Sequence, residues 1–173
     1  MSKQVFVVGI YPDLSKINET VKELIDLGID KKEISVVAKL SEAEEETIED
    51  AEIKKANSHA LGWAELGAVA GGLLGLLVGG VIFTAPAVGT MVATGTSLAG
   101  AINGLLGGAV AGAALVGIAD GLIEWGMAAE DAKHLEKLVQ EGKKLLLVRT
   151  DETAKGDVAA VVEKSAEKVE LLD

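Results

Sequence analysis

The chain has no cysteine, a single arginine, two prolines and only 3% aromatic residues. Without cysteine there are no disulfides, thiolate metal sites or cysteine nucleophiles, and the redox compartment is left open. One arginine, Arg149, in a chain of net charge −11 forms no basic stripe to release counterions from phosphates, which argues against nucleic acid as a partner. Few aromatics mean a core built from Val, Leu, Ile and Ala. Met1 to Ile10 has no apolar run long enough for a secretory signal, so the N-terminus is expected to start inside the cell. The largest absence is local: no charged side chain occurs between Glu65 and Asp120, a run of 54 residues of which 14 are glycine.

That run is no flexible glycine linker, because Leu, Ile, Val and Ala fill most of the remainder. It divides at Pro86, leaving 20 apolar or small residues from Leu66 to Ala85 and 23 from Ser97 to Ala119, with a Pro, Gly and Thr-rich break between. At about 1.5 Å per residue each half reaches roughly 30 Å, the hydrocarbon thickness of a bilayer. The expectation is an antiparallel helical hairpin. Gly67, Gly71, Gly75 and Gly79 fall every fourth residue in the first half, and Gly100, Gly104, Gly108 and Gly112 do so in the second. Such ladders let backbones approach closely and are the expected surfaces for helix packing and for a homo-oligomer. Each glycine costs about 1 kcal/mol of helix propensity, which close packing or a lipid surrounding has to offset.

Around this stretch the pattern is that of a soluble α/β body. Gln4 to Ile10 reads as a buried strand; Leu14, Ile17, Val21 and Leu24 mark one face of a helix capped by Asp13 or Ser15 and stopped at Gly28; Ile34 to Ala38 is a second strand. Lys144 to Thr150, Thr153 to Ser165 and Lys168 to Leu172 repeat strand, helix, strand. Two βαβ halves predict an α+β fold, a ferredoxin-like βαβ–βαβ sandwich formed by residues 1–40 and 143–173. Residues 41–142 form the insertion, its apolar glycine-zipper core at 66–119. It opens with a polar helix over Glu42 to Ala60 and closes with an amphipathic helix over Glu130 to Gln140, whose Ala132, Leu135 and Val139 pack toward the sheet and which Gly142 ends.

The opening Val7-Val8-Gly9-Ile10-Tyr11, then Leu27-Gly28-Ile29, Ile34-Ser35-Val36-Val37-Ala38, the Gly/Ala/Leu hairpin and Glu141-Gly142-Lys143-Lys144-Leu145-Leu146-Leu147-Val148, together resemble bacterial general stress proteins of the heat-induced, YflT-like kind. The resemblance covers nearly the whole chain in order. It implies stress association and membrane association; its motifs are structural and bring no catalytic residues.

The chemistry-bearing residues are sparse. His59 and His134 are the only histidines, each among solvated residues, and a metal shared between them would need Glu65 or Glu130 without any recognisable ligand spacing. The acidic run from Glu42 to Glu52 lacks the glycine-turned loop of a calcium site, and no Walker, dinucleotide or nucleophile-elbow motif occurs. The expectation is therefore no enzyme, no cofactor and no metal. Asn103 is placed to bond across helices or to line a pore. Trp63 and Trp125 flank the hairpin base, as an aromatic belt at a membrane interface would, with Lys54, Lys55, Lys133 and Lys137 on the same side. This favours a hairpin inserted in the cell membrane and a cytoplasmic sandwich. The alternatives are a soluble cytoplasmic assembly with the glycine-rich hairpins in its core, and a small-ligand regulatory module.

Overall fold

A computed structural model describes residues 3–12, 14, 16–39, 80–85, 89–94, 97–98, 101 and 117–173. In chain order these form β1 (Gln4–Tyr11), α1 (Ile17–Asp26), a 3₁₀ turn (Lys31–Glu33), β2 (Ile34–Lys39), β3 (Gly80–Ala85), β4 (Gly89–Thr94), α2 (Ile118–Glu124), α3 (Ala129–Gln140), β5 (Lys144–Asp151), α4 (Lys155–Glu163) and β6 (Lys168–Leu172). The strands make one six-stranded sheet in the order β3-β4-β2-β5-β1-β6, every neighbouring pair antiparallel. The protein is thus an α+β fold, and the strand and helix positions read from both ends of the sequence are those of the structure to within two residues, except that α1 starts three residues after Leu14, with Lys16 rather than Asp13 or Ser15 at its N-cap and no side-chain cap bond.

β1 is apolar on both faces because both faces are covered. Phe6, Val8 and Ile10 point to one side, where they join Val37, Leu145 and Leu147 beneath Ile118 and Leu122 of α2 and Leu135 and Val139 of α3. Val7 and Tyr11 point to the other, where Val36, Leu146 and Val148 meet Ile17, Val21 and Leu24 of α1 and Val158 and Val162 of α4. At about 1.5–3 kcal/mol for each buried side chain, three such residues outweigh the missing side-chain cap at the start of α1. Gly9 lies under α4, where a Cβ would sit 2.6 Å from Val162 Cγ1 and 2.8 Å from the Tyr11 ring. Only glycine lets that helix approach.

The expected stops at Gly28 and Gly142 have φ of +96° and +90°. Each ends its helix with the same pair of bonds: Ile29 and Gly28 N–H to the Leu24 and Ile25 carbonyls at 3.1 and 3.0 Å, and Lys143 and Gly142 N–H to those of Leu138 and Val139 at 3.1 and 2.9 Å.

The charge-free stretch departs from the helical hairpin over residues 80–94 and at Gly117, while Ser97, Leu98 and Ala101, where the second helix was expected to begin, are helical. Gly80–Ala85, expected as the end of the first helix, is strand β3, and Gly89–Thr94, expected as an irregular break, is strand β4. Val81-Ile82-Phe83-Thr84 is β-branched and aromatic, a composition that gives up χ1 freedom in a helix and fits a pleated surface. β4 pairs with β2 through Val37↔Ala93, Ala38↔Val92 and Lys39↔Met91, so the middle of the stretch lies beside the sheet. The second expected helix does not run unbroken to Ala119. Gly117 is extended (φ −76°, ψ 156°), and α2 begins after it. The Gly117 N–H donates to Asp120 Oδ2 at 3.1 Å and the Ala119 N–H to Glu136 Oε2 at 2.9 Å, which fastens α2 to α3. Among the described residues no helix is long and apolar enough to cross a membrane. Gly67, Gly71, Gly75, Gly79, Gly100, Gly104, Gly108, Gly112, Trp63, His59, Asn103 and the polar helix expected over Glu42 to Ala60 lie outside the described residues.

Candidate functional site

Three polar clusters stand out on the described body, and each joins elements distant in sequence. The first gathers on Arg149 of β5, which lies opposite Phe6 of β1 near one end of the sheet. Its guanidinium makes a two-pronged bond to Glu33, Nε to Oε2 at 2.5 Å and Nη2 to Oε1 at 3.2 Å. Nη1 donates to the Trp125 carbonyl at 2.8 Å, and the guanidinium carbon lies 5.4 Å from the centroid of the Trp125 ring. The same ring meets Phe6 edge-on, centroids 5.4 Å apart at 66°. With Nε and both Nη nitrogens engaged, this arginine works as a clasp between the turn after α2, the turn before β2 and the sheet, rather than as an anion receptor.

Trp125 was expected at a membrane interface. It is 4% exposed and its ring is packed in the core, whereas a belt residue needs its ring at the surface. Its indole Nε1 is buried with no hydrogen-bond partner among the described residues.

The second cluster is a triangle of hydroxyls under α1 and α4. Tyr11 Oη donates to Thr20 Oγ1 at 3.3 Å and lies 3.1 Å from Ser165 Oγ, which is 2.5 Å from Thr20 Oγ1; Thr20 also donates to the Lys16 carbonyl at 3.2 Å. A nucleophile needs an adjacent base held by a third group. What is present is hydroxyl bonded to hydroxyl and carbonyl, which satisfies the polar end of a fully buried tyrosine.

The third cluster lies at the β6 edge. His134 of α3 places Nε2 3.0 Å from Glu170 Oε2, and Lys168 Nζ reaches Glu170 Oε1 at 2.7 Å. Burial pushes the Glu170 carboxyl up, but the Lys168 hydrogen bond and the His134 and Lys168 charges together outweigh it and hold the group below its ordinary range. His134 therefore meets a carboxylate that neither Glu65 nor Glu130 supplies. Among the described residues no three or more His, Asp or Glu side chains are grouped to hold a metal.

Sequence reasoning missed all three clusters. Arg149 carried the clearest signal, since an arginine directly after the apolar run Leu145-Leu146-Leu147-Val148 has to find acceptors in the fold. Nothing in the sequence named Glu33 or the Trp125 carbonyl as those acceptors. No protein-family model, curated protein or solved structure matches the chain.

Proposed function

We infer that the protein is a non-enzymatic, self-assembling scaffold: a ferredoxin-like sandwich that carries glycine ladders as packing surfaces between copies. The strand order β2-β5-β1-β6, in which each βαβ half is split by a strand of the other, supports the ferredoxin-like reading. The observation that carries the functional reading is the β2–β4 pairing. A hairpin through a bilayer would hold the residues around Pro86 on the far side, roughly 30 Å from its base. Pairing with β2 favours instead a glycine-rich stretch that stays beside the sheet and meets other copies. With β3 in the sheet, the first ladder keeps only residues 66–79, about 21 Å as a helix, which is short for a span.

The membrane reading keeps support in the second half of the stretch. Residues 97–116 retain 20 positions without charge, about 30 Å as a helix, with Gly100, Gly104, Gly108 and Gly112 on one ladder. Stress association rests on the family resemblance alone.

Fractionation without detergent, followed by size exclusion with light scattering, separates these readings. A monodisperse soluble particle of several copies supports the scaffold. Recovery only in membranes, resistant to carbonate and released by detergent, would replace it with the inserted form. Gly75→Leu and Gly108→Leu each place bulk on a ladder and are expected to lower the particle mass while the sandwich stays folded; particles of unchanged mass in both variants refute the ladder contact.

A further inference from the structure

We propose that the outer edge of β3 is a self-pairing surface, on which β3 of a second copy adds antiparallel and joins two six-stranded sheets into one. The inference rests on the self-assembly reading above and names one of its contacts.

The sheet ends differently on its two sides. β6 is five residues long and carries Lys168 and Glu170. A two-fold pairing centred on that strand would set Glu170 opposite Glu170 of the second copy, like charge on like charge. Its edge is guarded by charge, one of the devices by which edge strands avoid addition. Among the described residues β3 shows none of these devices. Gly80-Val81-Ile82-Phe83-Thr84-Ala85 contains no charge and no proline, and its register with β4 is continuous over all six residues, so no bulge turns the edge away. Among the described residues β4 is its only neighbour in the sheet. The other side of β3 presents the alternating N–H and C=O groups of an edge strand.

Charge also selects the occupant. At a net charge of −11, two copies repel over most of their surfaces. β3 and β4 belong to the stretch between Glu65 and Asp120 that contributes nothing to this repulsion. A charged peptide finds no counter-charge along this edge. A second β3 brings an equally uncharged strand, and the two-fold pairing sets Ile82 opposite Phe83, Val81 opposite Thr84 and Gly80 opposite Ala85. Such an isologous contact closes at a dimer, leaving the glycine ladders that flank the hairpin for any larger assembly.

Strands lie about 4.8 Å apart, so a joined twelve-stranded sheet would put β3 beside its copy and the two β6 strands roughly 50 Å apart. The chain has no native cysteine, which makes single-cysteine spin labels clean reporters. Labels are placed in turn at Phe83→Cys and Thr84→Cys on β3 and at Leu171→Cys, a residue 51% exposed on β6. Dipolar distances are read on the full chain in the form that light scattering shows to be oligomeric. The expected result is a β3 distance below roughly 20 Å at both positions and a β6 distance near 50 Å. An oligomer whose β3 labels are farther than roughly 30 Å apart, or whose β6 labels are the close pair, overturns the β3 contact and leaves self-assembly standing. A monomer overturns both.

Discussion

The two faces of the sheet are closed by different kinds of chain. One is covered by α1 and α4, the helices that connect β1 to β2 and β5 to β6, so its cover is local in sequence. The other is covered by α2 and α3, which follow the glycine-rich stretch and have no strand between them. The polar fastenings follow the same division. Beneath the local helices a hydroxyl triangle closes around Tyr11; beside α2 a charged clasp reaches from Arg149 to the turn at Trp125. A cover that connectivity already places needs only to be satisfied internally. A cover arriving from a long insertion needs a bond that fixes where it lands.

That contrast is broken most directly at Trp125. Trp125→Ala removes the ring packed on Phe6 and under Arg149 and is expected to cost about 3–5 kcal/mol, read as a lowered urea midpoint. Arg149→Lys keeps the charge and loses the fork, leaving Glu33 and the Trp125 carbonyl poorly matched, for about 1.5–3 kcal/mol. In a Trp63→Phe background its near-UV signal should change because the α2 turn loosens, whereas a loss of stability with an unchanged Trp125 signal would refute the clasp. On the opposite face, Gly9→Ala forces Val162 and Tyr11 aside and is expected to cost about 1–3 kcal/mol in the same unfolding assay. Tyr11→Phe removes one corner of the triangle without opening a cavity, for about 1 kcal/mol.

The smallest effect is expected at the β6 edge. Glu170 is held below its ordinary value of 4.5 despite the opposing effect of burial, so its contribution is complete above that value and is lost as pH falls through the lowered one. Comparing wild type with Glu170→Gln, a difference of under about 1 kcal/mol should be present at pH 7 and shrink as the pH drops below about 4. A difference that grows on acidification would show that the sign is wrong.

How much of this was legible in sequence follows the same line. β1, α1, β2, α3, β5 and β6 were readable because each carries its own period and its own stop, as Gly28 and Gly142 illustrate. Residues 80–94 of the glycine-rich stretch were not, because two signals overlap there. A four-residue glycine spacing reads as helix, while Val81-Ile82-Phe83-Thr84 within the same run satisfies a strand, and only its pairing with β4, itself paired with β2, decides between them. Trp125 looked like a membrane residue because it follows the apolar run; its contacts with Phe6 and Arg149 span register that no local pattern encodes. The hydroxyl triangle brings together residues 9 and 145 positions apart, equally out of reach of local pattern.

The place of β1 between β5 and β6 sets an order of events during synthesis. Both of its neighbours, β5 and β6, come from residues 144–172, so β1 is made long before either strand it bonds to. At 5–20 residues per second, roughly 7–30 s pass between them. The charge-free stretch emerges within that interval, when β2, the strand to which β4 pairs, has already been made and β5 has not. A chain truncated before residue 144 would keep β2, β3 and β4 and lack β5, the strand that joins β2 to β1.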